Sequence, residues 1–518
     1  YIYIFSLVAV FIILLACINF TNLSTARAIT RTREVGIRKV FGVSRKRLSL
    51  QFIMESFLIV FIAHILAMII AELALPYFND LTGKNIVIEY LNIRFVGFIL
   101  GLIIIVSLLA GSYPAFYLSS FNPVSVLRKE MITGRKKARF RSVLVIGQFV
   151  ISLVLLSSSL VLYMQMKYIQ NKDLGYDKEQ LLVIENTYLL GKNIDNFKDQ
   201  LRQNPAIKNI TQSGFLPSPS SRNNGAIFPD GILSNQQQFC THFLVDYDYI
   251  NTFGMKIING RAFSKDYSSD SSAVIINEAT AKLLGYDDPV GRKIGTFKDS
   301  YDPQNPKIQV YNIIGVVKDF NHSSLHEPVA ALAMYLERSR ARITCKIMKD
   351  IDLSGLIAFI EAKWKENAPD QPFEYDFVTE SLDRQYSGEI RLGKILGIFT
   401  LLAFFISFLG LIGLALFASE QRSKEIGIRK VNGSGILNIV WLLTSDFTKL
   451  LVIAFIIACP LSWYLMSRWL EGFAYHMDLS WWLFLLTGLI SYLTAMIAVG
   501  YFTYKAAATN PVEILKNE

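Results

Sequence analysis

Arg31-Thr-Arg-Glu-Val-Gly-Ile-Arg-Lys-Val-Phe-Gly42 returns almost letter for letter as Arg422-Ser-Lys-Glu-Ile-Gly-Ile-Arg-Lys-Val-Asn-Gly433. The two copies lie 391 residues apart, and the same spacing relates Glu55 to Asp446, each just inside the next apolar run. A second pair, Asn122-Pro-Val-Ser-Val-Leu127 and Asn510-Pro-Val-Glu-Ile-Leu515, lies 388 residues apart. Each copy of the first motif follows one apolar run, and each copy of the second closes two more. A three-run unit is therefore written twice, and a duplicated membrane unit implies two halves related by a pseudo-two-fold axis.

The apolar runs set the class. The chain has 518 residues, 52% hydrophobic and 18% charged, with a mean hydropathy of +0.35. Soluble domains average about 25% charged residues. The runs fall at about 3–22, 51–75, 94–117, 142–165, 393–418, 437–466 and 481–504, each near the roughly 20 residues that a helix needs to cross a bilayer. The expected fold is an α-helical polytopic membrane protein with about seven spans in this chain.

Lys and Arg orient it. Arg27, Arg31, Arg33, Arg38, Lys39, Arg45, Lys46 and Arg47 follow the first run, Arg128, Lys129, Arg135, Lys136, Lys137, Arg139 and Arg141 the third, and Arg422, Lys424, Arg429 and Lys430 the fifth. Lys505 and Lys516 follow the seventh. All lie on one side if each run crosses once, and that side is cytoplasmic. This placement explains the net charge of +10 better than nucleic-acid binding does. The chain opens at Tyr1 straight into an apolar run, which reads as a missing N-terminal part that held one more span and one more outer domain.

A stretch of soluble composition, about 167–390, separates the two units and falls on the outer side. Strand-like runs at 181–185, 273–277, 311–318 and 373–377 alternate there with a helical pattern at 353–367. Gly254, Gly260, Gly285, Gly291 and Gly315 read as turns. The expectation is one large α+β extracytoplasmic domain. The domain plan is 1–130, a first three-span unit; 131–166, a basic cytoplasmic linker and the fourth span; 167–390, the outer domain; and 391–518, the second three-span unit. Cys17 and Cys459 sit in apolar runs as packing residues, while Cys240 and Cys345 fall in the outer domain, with free thiols expected over a disulfide.

At helical spacing the repeated motif makes neighbours of Arg31 and Glu34, of Glu34 and Arg38, and of Val35 and Lys39, although Val35, Ile37 and Val40 form no clean stripe. A short helix along the cytoplasmic surface fits this pattern. A flank that only fixed topology would need no set sequence, so two copies of one order point to a specific contact. The differing ends, Phe41-Gly-Val-Ser44 and Asn432-Gly-Ser-Gly435, imply a looser second helix and unequal docking of the copies.

The repeated Glu-x-Gly-Ile-Arg-Lys-Val motif resembles that of the MacB/FtsX-type ABC permeases, and the repeat units are FtsX-like on that resemblance. The outer stretch resembles the family's MacB-type periplasmic core domain in Val245-Asp-Tyr-Asp-Tyr249, Gly260-Arg-Ala-Phe263, Ile275-Ile-Asn-Glu278, Leu284-Gly285, Pro289-Val-Gly291 and Ile314-Gly-Val-Val-Lys-Asp-Phe320. The residues Glu389 to Arg391 leading into the fifth run fit as well. The double unit looks like the eight-span form associated with Bacteroidetes-type bacteria. The resemblance implies docking of a separate cytoplasmic ABC ATPase dimer on Glu34, Gly36, Ile37, Arg38 and Lys39 and on Glu425, Gly427, Ile428, Arg429 and Lys430. It implies mechanotransmission: ATP and Mg on the partner, no cofactor in this chain, and movement of the outer domain. A periplasmic adaptor and an outer-membrane channel are further candidate partners, beside membrane lipid and no nucleic acid. Export or envelope handling of a peptide, lipoprotein or drug-like substrate is the function implied, at a bacterial cytoplasmic (inner) membrane. The alternative is a non-transporting regulator of an envelope enzyme or sensor.

Other signals carry less. Gly388-Glu-Ile-Arg-Leu-Gly393-Lys394 approximates a phosphate-binding loop, but Ile395 replaces the needed hydroxyl and the stretch enters a span. The chain is therefore not expected to be an ATPase, and no catalytic constellation supports a membrane-anchored enzyme. His322 and His326 have Asp319 and Glu327 nearby, yet Ser323-Ser324 and Pro328 suggest a turn without metal. Asp446 has Lys449 three residues on as a partner. Gly393, Gly397, Gly410 and Gly413 in the fifth run would let helices approach closely.

Overall fold

The computed structural model describes residues 2–28, 32–119, 135–217, 223–232, 237–297 and 307–508. The motif pair at 122–127 and 510–515 lies outside them. The chain divides into two compact units, 1–164 with 389–468 and 478–518, and 165–388 with 469–477.

The first unit is helical. Its elements are α1 (Ile2–Ala28), α2 (Thr32–Val40), α3 (Arg45–Thr82), α4 (Ile93–Ser119) and α5 (Arg135–Asn171), whose end belongs to the second unit. Among the described residues, seven helices are long and apolar enough to span a bilayer, and four of the seven are α1, α3, α4 and α5. Each expected run lies inside one helix, and the helices overrun the runs at both ends except at Trp481, where the seventh run and its helix begin together. A backbone in hydrocarbon must satisfy its own hydrogen bonds, so helices continue to the polar interface.

The second unit holds β1 (Leu181–Ile184), α6 (Ile194–Arg202), β2 (Ile207–Ser213), β3 (Asn224–Pro229), β4 (Gln238–Val245), α7 (Tyr249–Thr252), β5 (Ile257–Gly260), β6 (Ala273–Asn277), α8 (Glu278–Leu284), β7 (Lys293–Phe297), β8 (Ile308–Val317), β9 (Leu332–Leu336), β10 (Arg342–Ile347), α9 (Leu353–Asn367), β11 (Tyr375–Phe377) and α10 (Val378–Gln385). The chain then re-enters the first unit with α11 (Ser387–Gln421), α12 (Ser423–Val431), α13 (Ile436–Leu470) and α14 (Trp481–Ala508).

In the membrane unit, Val145, Phe149 and Leu153 of α5 pack with Leu411, Leu414 and Ala415 of α11, Leu451 and Ala454 of α13 and Ala495 and Val499 of α14. Polar groups join α5 to α11: Gln148 Nε2 donates to Ser407 O (3.1 Å), Ser152 Oγ pairs with Ser407 Oγ (2.7 Å), and Thr400 Oγ1 donates to Leu155 O (3.2 Å). The glycines of α11 divide between two neighbours. A Cβ on Gly393 would lie 2.6 Å from Leu162 of α5, whereas on Gly410 and Gly413 it would strike Asn19 and Leu23 of α1. The two repeats also meet at the outer end of α3, where Arg391 Nη1 donates to Thr82 O (2.9 Å).

The outer unit is α+β. Six strands close on themselves in the order β3-β4-β9-β6-β8-β7-β3, with β4/β9 and β6/β8 parallel and the rest antiparallel. Beside this barrel, β11-β1-β10-β2 form an antiparallel sheet joined to it at Ser213 and Val245. Phe197 and Leu201 of α6 and Leu356, Ile360 and Trp364 of α9 cover that sheet. Gly315, expected at a turn, lies instead within β8, where a Cβ would come within 2.3 Å of Arg261 O. Its missing side chain lets the chain leaving β5 cross the strand. Cys240 and Cys345 are free and buried, one in the barrel core and one in the helix-covered sheet. Burial pushes both thiols up to about 12.

Candidate functional site

The repeated motif folds as two short helices, α2 and α12. In α2, Arg38 bonds Glu34 at 2.6 Å, and in α12 Arg429 bonds Glu425 at 2.7 Å. Both are pairs four residues apart, with the acid nearer the helix N-terminus, the order that suits the helix dipole. Gly36 and Gly427 lie mid-helix. Both helices also stop in one way. Gly42 and Gly433 each take φ +87, and their amides donate to Lys39 O and Lys430 O. The following amides of Val43 and Ser434 reach back to Arg38 O (3.1 Å) and Arg429 O (2.9 Å). This double cap needs a left-handed residue, which glycine supplies without strain.

The looser second helix expected from Asn432-Gly-Ser-Gly435 is thus corrected, because Gly433 makes the same cap as Gly42. Gly435 merely stands before α13 where Ser44 stands before α3. Ser44 Oγ accepts from Arg47 N at 3.4 Å, and glycine at such a cap costs only a few tenths of a kcal/mol.

Each helix has an inward and an outward side. Val35 (2% exposed) and Ile426 (4%) face in, and Ile426 packs on Ile439 and Leu443 of α13. Ile37 (44%) and Ile428 (56%) face out, with exposed Val40, Phe41 and Val431. The outward stripe is Ile37, Val40 and Phe41; it was hidden in the sequence because Val35, which belongs to the other side, was read with it. Burial, then the charge of Arg45, lowers the pKa of Lys39.

The two acids at the start of the next helices are drawn into the same charge network. Arg38 Nη1 donates to Gln51 Oε1 (3.0 Å), and Gln51 Nε2 donates to Glu55 (3.3 Å). Asp446 takes Arg422 at 3.1 Å and the expected Lys449 at 4.0 Å. Arg422 opens the repeated motif, so the nearer partner was legible in the motif itself. Its counterpart Arg31 lies outside the described residues.

The outer unit carries a second arrangement. The 469–477 loop between α13 and α14 is built into it. His326 stacks on Phe473 with ring centroids 4.0 Å apart, and its Nδ1 donates to Gly472 O (2.8 Å). The amides of Ala474 and Tyr475 donate to His326 O and Leu325 O, Gln165 bonds Tyr475 O and Met477 N, and Lys172 lies over the Tyr475 ring. His322, four residues away, is buried instead between Phe243 and Phe320. The phosphate-loop look-alike from Gly388 to Lys394 forms the opening turns of α11 and is not a loop between a strand and a helix, the context that a phosphate-binding loop needs.

Seven membrane-capable helices, a repeated three-helix unit and a large outer α+β domain make this a multi-pass inner-membrane protein with a periplasmic domain. The FtsX-like permease C-terminal model matches twice, at 6–123 and 397–511, and the MacB-like periplasmic core domain model matches 144–352. Two Campylobacter jejuni relatives, both macrolide export ATP-binding/permease proteins MacB, are 33% identical over 131 residues, which is 24% of this chain. The match covers 19% of each relative, so the chain spans about a fifth of their length. The periplasmic region of MacB from Actinobacillus actinomycetemcomitans aligns with 42% of this chain and 97% of that one (13% identity, TM-score 0.30). The extracellular domain of the noncanonical ABC-type transporter YknZ from Gram-positive bacteria aligns with 35% and 87% (13% identity, TM-score 0.26). The chain belongs to the MacB/FtsX-type ABC transporter permeases.

Proposed function

We propose that this chain is a permease subunit that couples ATP hydrolysis by a separate, paired cytoplasmic ATPase to movement of its outer domain, for export or envelope handling of a peptide, lipoprotein or drug-like substrate. ATP and Mg would bind on the ATPase. The docking residues are Glu34, Gly36, Ile37, Arg38 and Lys39 on α2 and Glu425, Gly427, Ile428, Arg429 and Lys430 on α12. Exposed apolar side chains supply the contact, and the flanking charges give it specificity. A periplasmic adaptor and outer-membrane channel would complete an export path.

One observation carries the coupling. α13 begins two residues past the capped end of α12 and ends in the 469–477 loop that belongs to the outer unit. Its 35 residues form one helix about 52 Å long at the α-helical rise, with one backbone hydrogen bond given up at Pro460 inside it. A push on α12 is therefore delivered along one helix to a loop held by His326, Gln165 and Leu325. The test is purification of the full chain with identification of co-purifying subunits by mass spectrometry. An ABC ATPase is expected with the wild type and is expected to be lost from Glu34→Lys plus Glu425→Lys while membrane insertion persists. Retention of the ATPase by the double variant would overturn the docking assignment.

A further inference from the structure

The two repeats each carry a groove between their second and third membrane helices. In the first copy, Phe61, His64, Met68, Tyr90, Ile99 and Leu100 line a cavity of about 240 Å³ between α3 and α4. In the second, Leu451, Phe455, Leu485, Gly488 and Tyr492 line one of about 260 Å³ between α13 and α14. The 391-residue spacing sets Phe455 at the place of His64 and Trp463 at the place of Glu72. The second groove has only the hydroxyls of Ser491 and Tyr492 as side-chain polar groups, with no imidazole or carboxylate, whereas the first has His64 in its lining and Glu72 bonded to its Tyr90.

These groups lie on one stripe. Phe61, His64, Met68 and Glu72 follow one another at three- or four-residue steps along α3. Tyr90, which lines the groove, donates its hydroxyl to Glu72 Oε2, so that carboxylate stands at the groove's outer end. The hydrogen bond from Tyr90 leaves Glu72 Oε1 without a bond among the described residues. His64 Nδ1 lies 3.0 Å from Val60 O. A carbonyl only accepts, so Nδ1 carries the hydrogen, and the tautomer this fixes presents Nε2 as its acceptor. A carboxylate and an acceptor on a lipid-facing groove are costly unless something supplies the complementary charge and donors. No described basic side chain does so at Glu72.

We propose that the α3–α4 groove binds an amine-bearing amphiphile drawn from the outer leaflet of the bilayer. The chain lies along Phe61, Met68, Ile99 and Leu100, the ammonium sits on Glu72, and His64 accepts from a donor on the ligand. The site is independent of ATPase docking, so either assignment can fail alone.

The test uses the full chain in lipid nanodiscs and two photoreactive probes, a diazirine-bearing dodecylamine and a diazirine-bearing dodecanoic acid, with labelled residues mapped by mass spectrometry. The amine is expected to label 61–68 and 95–103 about tenfold more than the acid does, a difference in line with one ionic contact. Glu72→Gln, the same shape without charge, is expected to bring the amine down to the level of the acid, and Glu72→Asp to keep most of the labelling. Equal labelling by the two probes, unchanged labelling in Glu72→Gln, or equal amine labelling of the α13–α14 groove would overturn the proposal. The wild-type comparison of probes and grooves decides even where a variant fails to fold.

Discussion

Asn19 and Gly410 hold the same position in the two repeats and meet in the membrane: a Cβ on Gly410 would lie 2.3 Å from Asn19 Oδ1. Asn19 Nδ2 in turn donates to Ile406 O at 3.4 Å. Three residues on, Gly413 is the counterpart of Asn22 and gives room to Leu23. The first helices of the two copies thus cross at equivalent positions, where the pseudo-two-fold axis must pass. The copies are complementary there and not identical. Two asparagines would clash, and two glycines would leave a void.

Gly410→Ala is accordingly expected to destabilise the membrane unit by about 1–3 kcal/mol, the usual cost of overpacking. Asn19→Ala in the same chain is expected to recover most of that loss, because the facing atom is gone. Gly397→Ala is the neutral control, since its Cβ would meet only Ser159 Oγ at 3.9 Å. Thermal unfolding in detergent of the single and double variants closes the cycle, and additive effects of Gly410→Ala and Asn19→Ala would refute the contact.

At the proposed docking helices α2 and α12, neighbouring residues of like chemistry are expected to behave in opposite ways. Ile428→Asp changes an outward side chain and is expected to abolish ATPase association while shifting stability by less than about 0.5 kcal/mol. Ile426→Asp puts a charge against Ile439 and Leu443 and is expected to cost several kcal/mol in stability. Ile37→Asp and Val35→Asp should repeat the contrast in the first copy. Association and melting temperature, measured on the same preparations, separate the two effects.

The membrane half was legible because its signals are local. Apolar length, basic flanks and the 391-residue repeat need no tertiary knowledge, and the α9 boundaries and β6 also follow from local pattern. The barrel was not legible. β4 and β9 pair in parallel across about ninety residues of chain, and neither alternates cleanly, since a barrel wall is buried on more than one side. The faces of the repeated helices were half legible: charge order gave the helix, but only packing shows that Val35 and Ile426 turn inward. The 469–477 strap left no trace in the sequence, because its partners, His326 and Leu325, lie far along the chain.

The barrel should be sensitive to acid. His242 on β4 has its Nε2 buried without a partner, its ring 5.0 Å from that of Tyr335 and close against Gly225. Burial lowers its pKa from 6.5 to about 4. The unfolded chain therefore binds the proton more readily between these values, and stability falls as pH drops through that window. The full contribution, on the order of 3 kcal/mol, is present above the unfolded pKa and is lost below about pH 4. His242→Gln, which does not titrate, is expected to flatten this dependence. Hydrogen exchange of barrel amides in the full chain, followed from pH 7 to pH 4 with correction for intrinsic rates, measures it; an equal slope in both proteins would refute the assignment.

The proposed coupling through the strap makes the last prediction. The 469–477 loop is held by the ring stack of Phe473 on His326, by the His326 bond to Gly472 O and by the backbone bonds of Ala474 and Tyr475. Losing a ring stack and its associated hydrogen bond costs about 1–2 kcal/mol. In Phe473→Ala or His326→Ala, the amides of Ala474 and Tyr475 are therefore expected to exchange about tenfold faster, with barrel amides unchanged. ATPase association should be intact, since α12 keeps its cap and its seat on Ile439. If ATP moves the outer domain as proposed, the distance change between spin labels on α9 and the 83–92 loop is expected to shrink in the same variants. Faster exchange with full movement would mean that the force travels by another route, such as α5 or α11, and that the strap only fastens the loop.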